Sequence, residues 1–381
     1  MIARVRELQA RGVRVLDLTA GEPDFAPPAA AVEGALAAIA GNKGRYTAAS
    51  GMPELRVEVA RMIEAEFGIQ YGPDQIVVTA GAKIAIAQAL LNLVDPGDQV
   101  LIPSPYWTSY PEMVKLAEGV PVTVPCDAAF LPRVSALDAA WTPRTRVLLL
   151  NSPNNPTGAV YPAALLREIG AWAIGRGVAV ISDEIYASLT YGDARHVSPL
   201  AAAPELQRTS VWIGGMSKAY AMTGWRMGFL AAPPDLARAV ANMQSQLASS
   251  PNAISQHASL AALRGGGAER ARMRDAFAAR ARIVTAALRA IPGLTYPEPA
   301  GAFYAFPRLG GYLGRKDPAT GRVIRSGEDL VETLLEADQV AVMGGGGFGA
   351  SDAVRLSFAA SEEVLRVALE RFRTRLAALQ V

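Results

Sequence analysis

Seven short apolar runs, rich in β-branched residues, recur along the first two thirds of the chain. They are "QIVVT" (75–79), "QVLIP" (99–103), "PVTVP" (121–125), "RVLLLN" (146–151), "VAVISD" (178–183), "SVWIGG" (210–215) and "MGFLAA" (227–232). Continuous rather than alternating apolarity at strand length marks strands buried on both faces. Alanine-rich helical stretches separate most of them, among them 84–94, 162–176 and 234–249. Such a chain is restricted to an α/β fold, a mainly parallel sheet with helices on both faces.

From about residue 266 the pattern changes. A long Arg/Ala helix (268–290) leads to short strands at 302–306 and 353–358, and a final helix spans 361–379. The start of the chain, "MIARVRELQARGVRVLDL", reads as an amphipathic helix followed by a short strand. For 381 residues the expectation is two domains. Residues 30–265 form the large one, and 1–29 with 266–381 form a smaller α+β domain.

Composition narrows the function classes. A chain 51% hydrophobic and 19% charged builds a large globular core. A net charge of +2 gives no reason to expect nucleic acid or an anionic membrane as partner. Cys126 is the only cysteine, so no internal disulfide forms and a reducing compartment fits. With only His196 and His257, no metal-ligand spacing is present, and no metal is expected. The first residues lack the apolar core of a signal peptide, and 84–94 is too short to cross a bilayer. A cytoplasmic location is therefore expected. "GGGG" at 344–347 does not open a helix after a strand, so it is a poor dinucleotide fingerprint.

Ligands of open α/β sheets bind beyond the carboxyl ends of the strands. There the chain places its unusual polar residues. "QIVVT" runs into Ala80, Gly81, Ala82 and Lys83, a helix start whose N–H groups suit a phosphate. "QVLIP" is followed by Trp107, "RVLLLN" by Asn155, "VAVISD" ends on Asp183 with Tyr186 beyond it, and "SVWIGG" leads to Ser217 and Lys218. A phosphate cradle, a flat ring, an amide, a carboxylate and an amine together describe a site for pyridoxal 5'-phosphate. The lysine amine condenses with its aldehyde, and the carboxylate keeps its ring nitrogen protonated.

The chain resembles the class I and II aminotransferases of pyridoxal phosphate fold type I, in the branch that includes bacterial aspartate aminotransferases. The segments that carry the resemblance are "LDLTAGEPDF", "YTAASGMPELR", "SPYWTSYPEM", "NSPNNPTGAVYP", "SDEIYASLTY", "SKAYAMTGWRMGF", "GAFYAF" and "VRLSFAAS". It implies transfer of an amino group from an L-amino acid to a 2-oxo acid, with glutamate and 2-oxoglutarate as one pair. Lys218 is then the internal aldimine lysine and the base that moves the α-proton. The resemblance further implies that Asp183 pairs with the ring nitrogen, Tyr186 and Asn155 bond the phenolic oxygen, and Trp107 stacks on the ring. Gly81, Ala82, Lys83, Ser217 and Arg226 hold the phosphate, with Tyr46 reaching it from the neighbouring subunit of a homodimer. Arg355 grips the substrate carboxylate, helped by Gly21 and Asn155. In related enzymes a lysine at the position of Lys83 meets a distal carboxylate, which implies an acidic substrate such as aspartate or prephenate. Three departures stand out: Gly215 where some members carry a phosphate-binding serine, a short segment before "GEPDF", and "VMGGGGFG" where a Pro-Gly loop is usual.

Each residue also has a plainer reading. Asp183 could cap a helix, Asn155 could form a turn before Pro156, Trp107 could fill the core, and Arg355 could pair at the surface. Rival functions on the same scaffold are elimination at a sulfur-bearing amino acid (a C–S lyase) and an effector sensor in a transcription regulator. A nicotinamide dehydrogenase would rest on glycine-rich loops alone.

Overall fold

The computed structural model describes residues 1–381, apart from the side chain of Ile2. Its strands are β1 (Leu16–Asp17), β2 (Ile76–Thr79), β3 (Gln99–Ser104), β4 (Val120–Pro125), β5 (Thr145–Asn151), β6 (Ala179–Asp183), β7 (Val211–Gly215), β8 (Gly228–Ala231), β9 (Tyr304–Ala305), β10 (Val340–Ala341), β11 (Met343–Gly344) and β12 (Val354–Ser357). Each of the seven expected apolar runs is a strand, with ends within one residue of expectation.

These seven form one sheet in the order β2-β8-β7-β6-β5-β3-β4. From β7 to β4 the neighbours are parallel, whereas β8 runs antiparallel to both β7 and β2. Residues 216–227 between β7 and β8 hold only the one-turn helix Met216–Ala219 and a 3-10 turn at Thr223–Trp225, with no covering helix, so the chain returns directly alongside β7.

Successive strand residues face opposite sides, and both sides are buried. Val77, Val100, Val147, Ile181, Ile213 and Leu230 pack with Ala85, Ala89, Val114 and Val240 of helices Ala82–Leu93, Ser109–Leu116 and Pro234–Ala248. Their strand neighbours Val78, Leu101, Leu148, Val180, Trp212 and Phe229 pack with Leu55, Ile63, Leu166 and Ile169 of helices Pro53–Phe67 and Ala163–Arg176.

A further core joins the two ends of the chain. Leu16 and Leu18 meet Met273 and Phe277 of helix Gly267–Arg289, together with Leu356, Phe358, Leu369 and Phe372. Here β11, β12 and β9 form a small antiparallel sheet. β1 pairs in parallel with β10, a partnership the sequence patterns did not foresee because both strands are two residues long. Among the described residues, no helix is long and apolar enough to cross a membrane.

Candidate active site

The carboxyl ends of the parallel strands open into a cavity of about 480 Å³. Of the residues anticipated there, Gly21, Ala82, Lys83, Trp107, Asn155, Asp183, Tyr186, Ser217, Lys218, Arg226 and Arg355 line it. Tyr46 does not, and is 88% exposed. Gly81 lies just behind the wall.

Lys218 sits on the short helix Met216–Ala219, one turn beyond β7. Its Nζ donates a hydrogen bond to the carbonyl of Gly21. Burial pushes its amine down to about 8, with Arg226 and Arg355 adding to the effect and Glu22 and Asp183 opposing it. Asp183 is the last residue of β6 and is buried. Tyr110 donates to its Oδ2 at 2.7 Å and the Ile185 N–H to its Oδ1 at 3.1 Å. Burial, with a smaller push from the nearby Glu184 charge, nevertheless raises this carboxyl to about 6.

The cradle is built by close approach. Gly81 has φ +98°, and a Cβ there would lie 2.4 Å from Nη2 of Arg226. A Cβ on Gly228 would lie 2.4 Å from the nitrogen of Ala82. Only glycine at both positions lets β8 and Arg226 press against the start of helix Ala82–Leu93. The N–H of Gly81 bonds the Thr79 carbonyl at 2.8 Å, so what this residue offers the cradle is its shape. Gly215 is equally tight, because a Cβ would meet the Met227 carbonyl at 2.8 Å. A serine there would require the backbone to move.

Arg355, on β12, is buried. Its Nη1 donates to Oδ1 of Asn155 at 3.0 Å and its Nη2 to the Thr19 carbonyl at 2.9 Å, while its Nε is buried with no partner. Arg226 likewise donates only to carbonyls, those of Thr223 and Ala80. Such guanidinium groups, lacking a carboxylate, form a ready anion site.

Several residues here escaped the sequence reading. Tyr110 holds Asp183. Asn151 donates to the Asp183 carbonyl at 2.9 Å and accepts from the Asn155 N–H at 2.8 Å. Tyr304 bonds Tyr186 at 2.9 Å, and Thr19 bonds Arg355. Asn151 could have been found, because it ends β5 exactly as Asp183 ends its neighbour. Tyr304 had no comparable signal.

Residues 13–372 match the family model for aminotransferase class I and II. The chain belongs to this family. It is 42% identical to the aspartate aminotransferase of Geobacillus stearothermophilus over 97% of this chain and 93% of that one. It is 41% identical to the aspartate/prephenate aminotransferase of Cereibacter sphaeroides, over 97% of this chain and 92% of that one. The crystal structure of the Rhizobium meliloti aspartate aminotransferase superimposes with a TM-score of 0.95 at 40% identity, covering 99% and 95% of the two chains.

The protein is thus a pyridoxal phosphate-dependent aminotransferase of fold type I. Its cavity fits that cofactor on three observations. A buried carboxylate, Asp183, has a neutral phenol rather than a cation as its side-chain partner. A buried-side amine has its basicity lowered. Glycines at 81 and 228, where a Cβ would clash with Arg226 or the Ala82 nitrogen, let the Arg226 guanidinium and the start of helix Ala82–Leu93 close together at the cavity wall. Among the described residues, no cluster of three or more His, Cys, Asp or Glu could hold a metal ion.

Proposed function

We propose that this aminotransferase exchanges the amino group of a dicarboxylic amino acid, aspartate foremost, with a 2-oxo acid, glutamate and 2-oxoglutarate forming one pair. The observation that carries this is that Arg355 and Lys83 line one cavity, in addition to Lys218 and Arg226, which serve the cofactor. Arg355 donates only to an amide and a carbonyl, and Lys83 Nζ lies 4.8 Å from the Trp107 ring centroid. One cation suits the α-carboxylate, the other a distal carboxylate. The relatives named for aspartate and for aspartate/prephenate agree with this substrate class.

When bound, pyridoxal phosphate supplies an aldehyde that joins an amine and an electron-poor ring that takes up the electron pair released at the substrate α-carbon. The residues do the rest. Asp183 holds a proton on the ring nitrogen, and Tyr110 and the Ile185 N–H hold Asp183. Trp107, which lines the cavity, would hold the ring by its flat face. Asn155 spends its Oδ1 on Arg355, so its Nδ2 is the end that donates to the phenolic oxygen beside Tyr186. The N–H groups of Ala82 and Lys83, with Ser217 and Arg226, bind the phosphate at the helix start, shaped by Gly81. Lys218, with its lowered basicity, takes the α-proton and returns it. Arg355 binds the α-carboxylate with its fork, and the Gly21 backbone closes over it.

In this reading residues 30–265 bear the cofactor, and 1–29 with 266–381 deliver Gly21 and Arg355. The working unit is a cytoplasmic homodimer, in which the exposed Tyr46 reaches the other subunit's phosphate.

The test adds single amino acids to the cofactor-loaded enzyme without a 2-oxo acid and follows loss of the visible band. Aspartate and glutamate are expected to bleach it at the lowest concentrations. Lys83→Ala should raise the aspartate concentration needed by about ten- to a hundredfold, the loss of one charged hydrogen bond, and leave alanine unaffected. Equal effects on both amino acids would defeat the distal-carboxylate reading.

A further inference from the structure

Tyr304 stands between the two halves of this chemistry. It is fully buried, on β9, and lines the cavity. β9 pairs with β12 so that Tyr304 faces Ser357, and Arg355, two residues earlier on the same side of β12, is its diagonal neighbour. The Arg355 guanidinium lies 4.4 Å from the Tyr304 ring centroid. The Tyr304 hydroxyl lies 2.9 Å from the Tyr186 hydroxyl, with the rings edge to face at 82°.

A phenol has one proton to donate. If Tyr186 directs its proton to the phenolic oxygen, the bond between the two tyrosines must be donated by Tyr304. Donation into Tyr186 polarises its O–H and strengthens the next bond in the chain. The charged and titratable groups facing the pair are Arg355 on β12, Asp183 at the end of β6 and Tyr110, which bonds Asp183; Lys218 Nζ lies 5.9 Å from the ring of the adjacent Phe303.

We propose that Tyr304 is a positioning residue that links the two binding functions, its hydroxyl setting the donor strength of Tyr186 and its ring seating the guanidinium of Arg355. This rests on the roles of Tyr186 and Arg355 given above. One side chain thereby ties the cofactor's phenolic oxygen to the substrate's carboxylate clamp.

The two ends separate by substitution. Tyr304→Phe keeps the ring and removes the hydroxyl, and Tyr304→Leu removes both. Each is loaded with pyridoxal phosphate. The pH midpoint of the visible band and the dissociation constant of succinate are then measured. A weaker donor at the phenolic oxygen leaves more negative charge there and favours a proton nearby, so the midpoint rises. Tyr304→Phe is expected to raise it by a few tenths of a pH unit and to change succinate affinity less than about twofold. Tyr304→Leu should raise it similarly and weaken succinate roughly tenfold. Tyr186→Phe alone should raise the midpoint, and adding Tyr304→Phe to it should shift it no further.

A midpoint moved by Tyr186→Phe but untouched by Tyr304→Phe would overturn the link and leave the site assignment standing. So would additive shifts in the double variant, or equal succinate affinity in the Phe and Leu variants. A midpoint unmoved by Tyr186→Phe would overturn the Tyr186 role itself, and the link with it.

Discussion

Lys218 has a titration that folding itself must reflect. Its amine falls from 10.5 to about 8 in the folded chain because burial penalises the ammonium. Between these values the unfolded chain binds more protons than the folded one, so folding gains as pH rises through the window. Below about 8 the penalty is present in full. For the cofactor-free protein, unfolding free energy relative to Lys218→Met should therefore move in favour of the natural sequence from pH 8 to 10.5. Chemical denaturation at several pH values checks this, and parallel curves would mean the lysine titrates normally. At this scale the sequence was informative wherever a residue's chemistry was odd for its place. A lysine among glycines, an aspartate ending an apolar strand and an arginine inside "VRLSF" could be picked out. Tyr110, Thr19 and Tyr304 could not, because tyrosine and threonine are ordinary in half-buried positions and their importance lies in their partners.

The junction of β2 with helix Ala82–Leu93 is the element on which phosphate binding depends. Its N–H groups point out of a helix start, where the dipole already favours an anion. Gly81→Ala would force a side chain into φ +98° and drive Arg226 away from its present place. The expected cost is about 1–2 kcal/mol of stability, with cofactor affinity lowered at least tenfold. Gly175→Ala is the control, because it lies in helix Ala163–Arg176 with nothing within 4 Å of the added carbon. It should stabilise slightly and leave affinity alone. Titration of pyridoxal phosphate into each cofactor-free variant, followed by absorbance, distinguishes them. Equal affinities would show that the cradle tolerates displacement of Arg226. The junction was legible as a strand, a glycine and a helix, yet the spending of the Gly81 N–H on Thr79 was not, since a turn's internal bonds leave no trace in residue type.

The whole molecule places its site between segments far apart in the chain, and the proposed dimer extends that principle across subunits. Helix Ala29–Ala40 exposes Leu36 and Ile39, each 61% accessible, a few residues before Tyr46. A second copy covering this face would bury them and bring Tyr46 to the other site. Leu36→Asp with Ile39→Asp is expected to give a folded monomer by analytical ultracentrifugation, with cofactor affinity reduced. An undisturbed dimer would locate the interface elsewhere. By itself the sequence determined the seven strand segments, a mainly parallel sheet covered by helices and the strand-end residues, because β-branched runs, helical periodicity and the position of a polar residue after an apolar run are local properties. Tertiary structure alone decided the antiparallel turn of β8, the pairing of β1 with β10, and the register that sets Tyr304 beside Arg355. Those depend on which distant segments lie side by side, and a two-residue strand carries too little pattern to announce its partner.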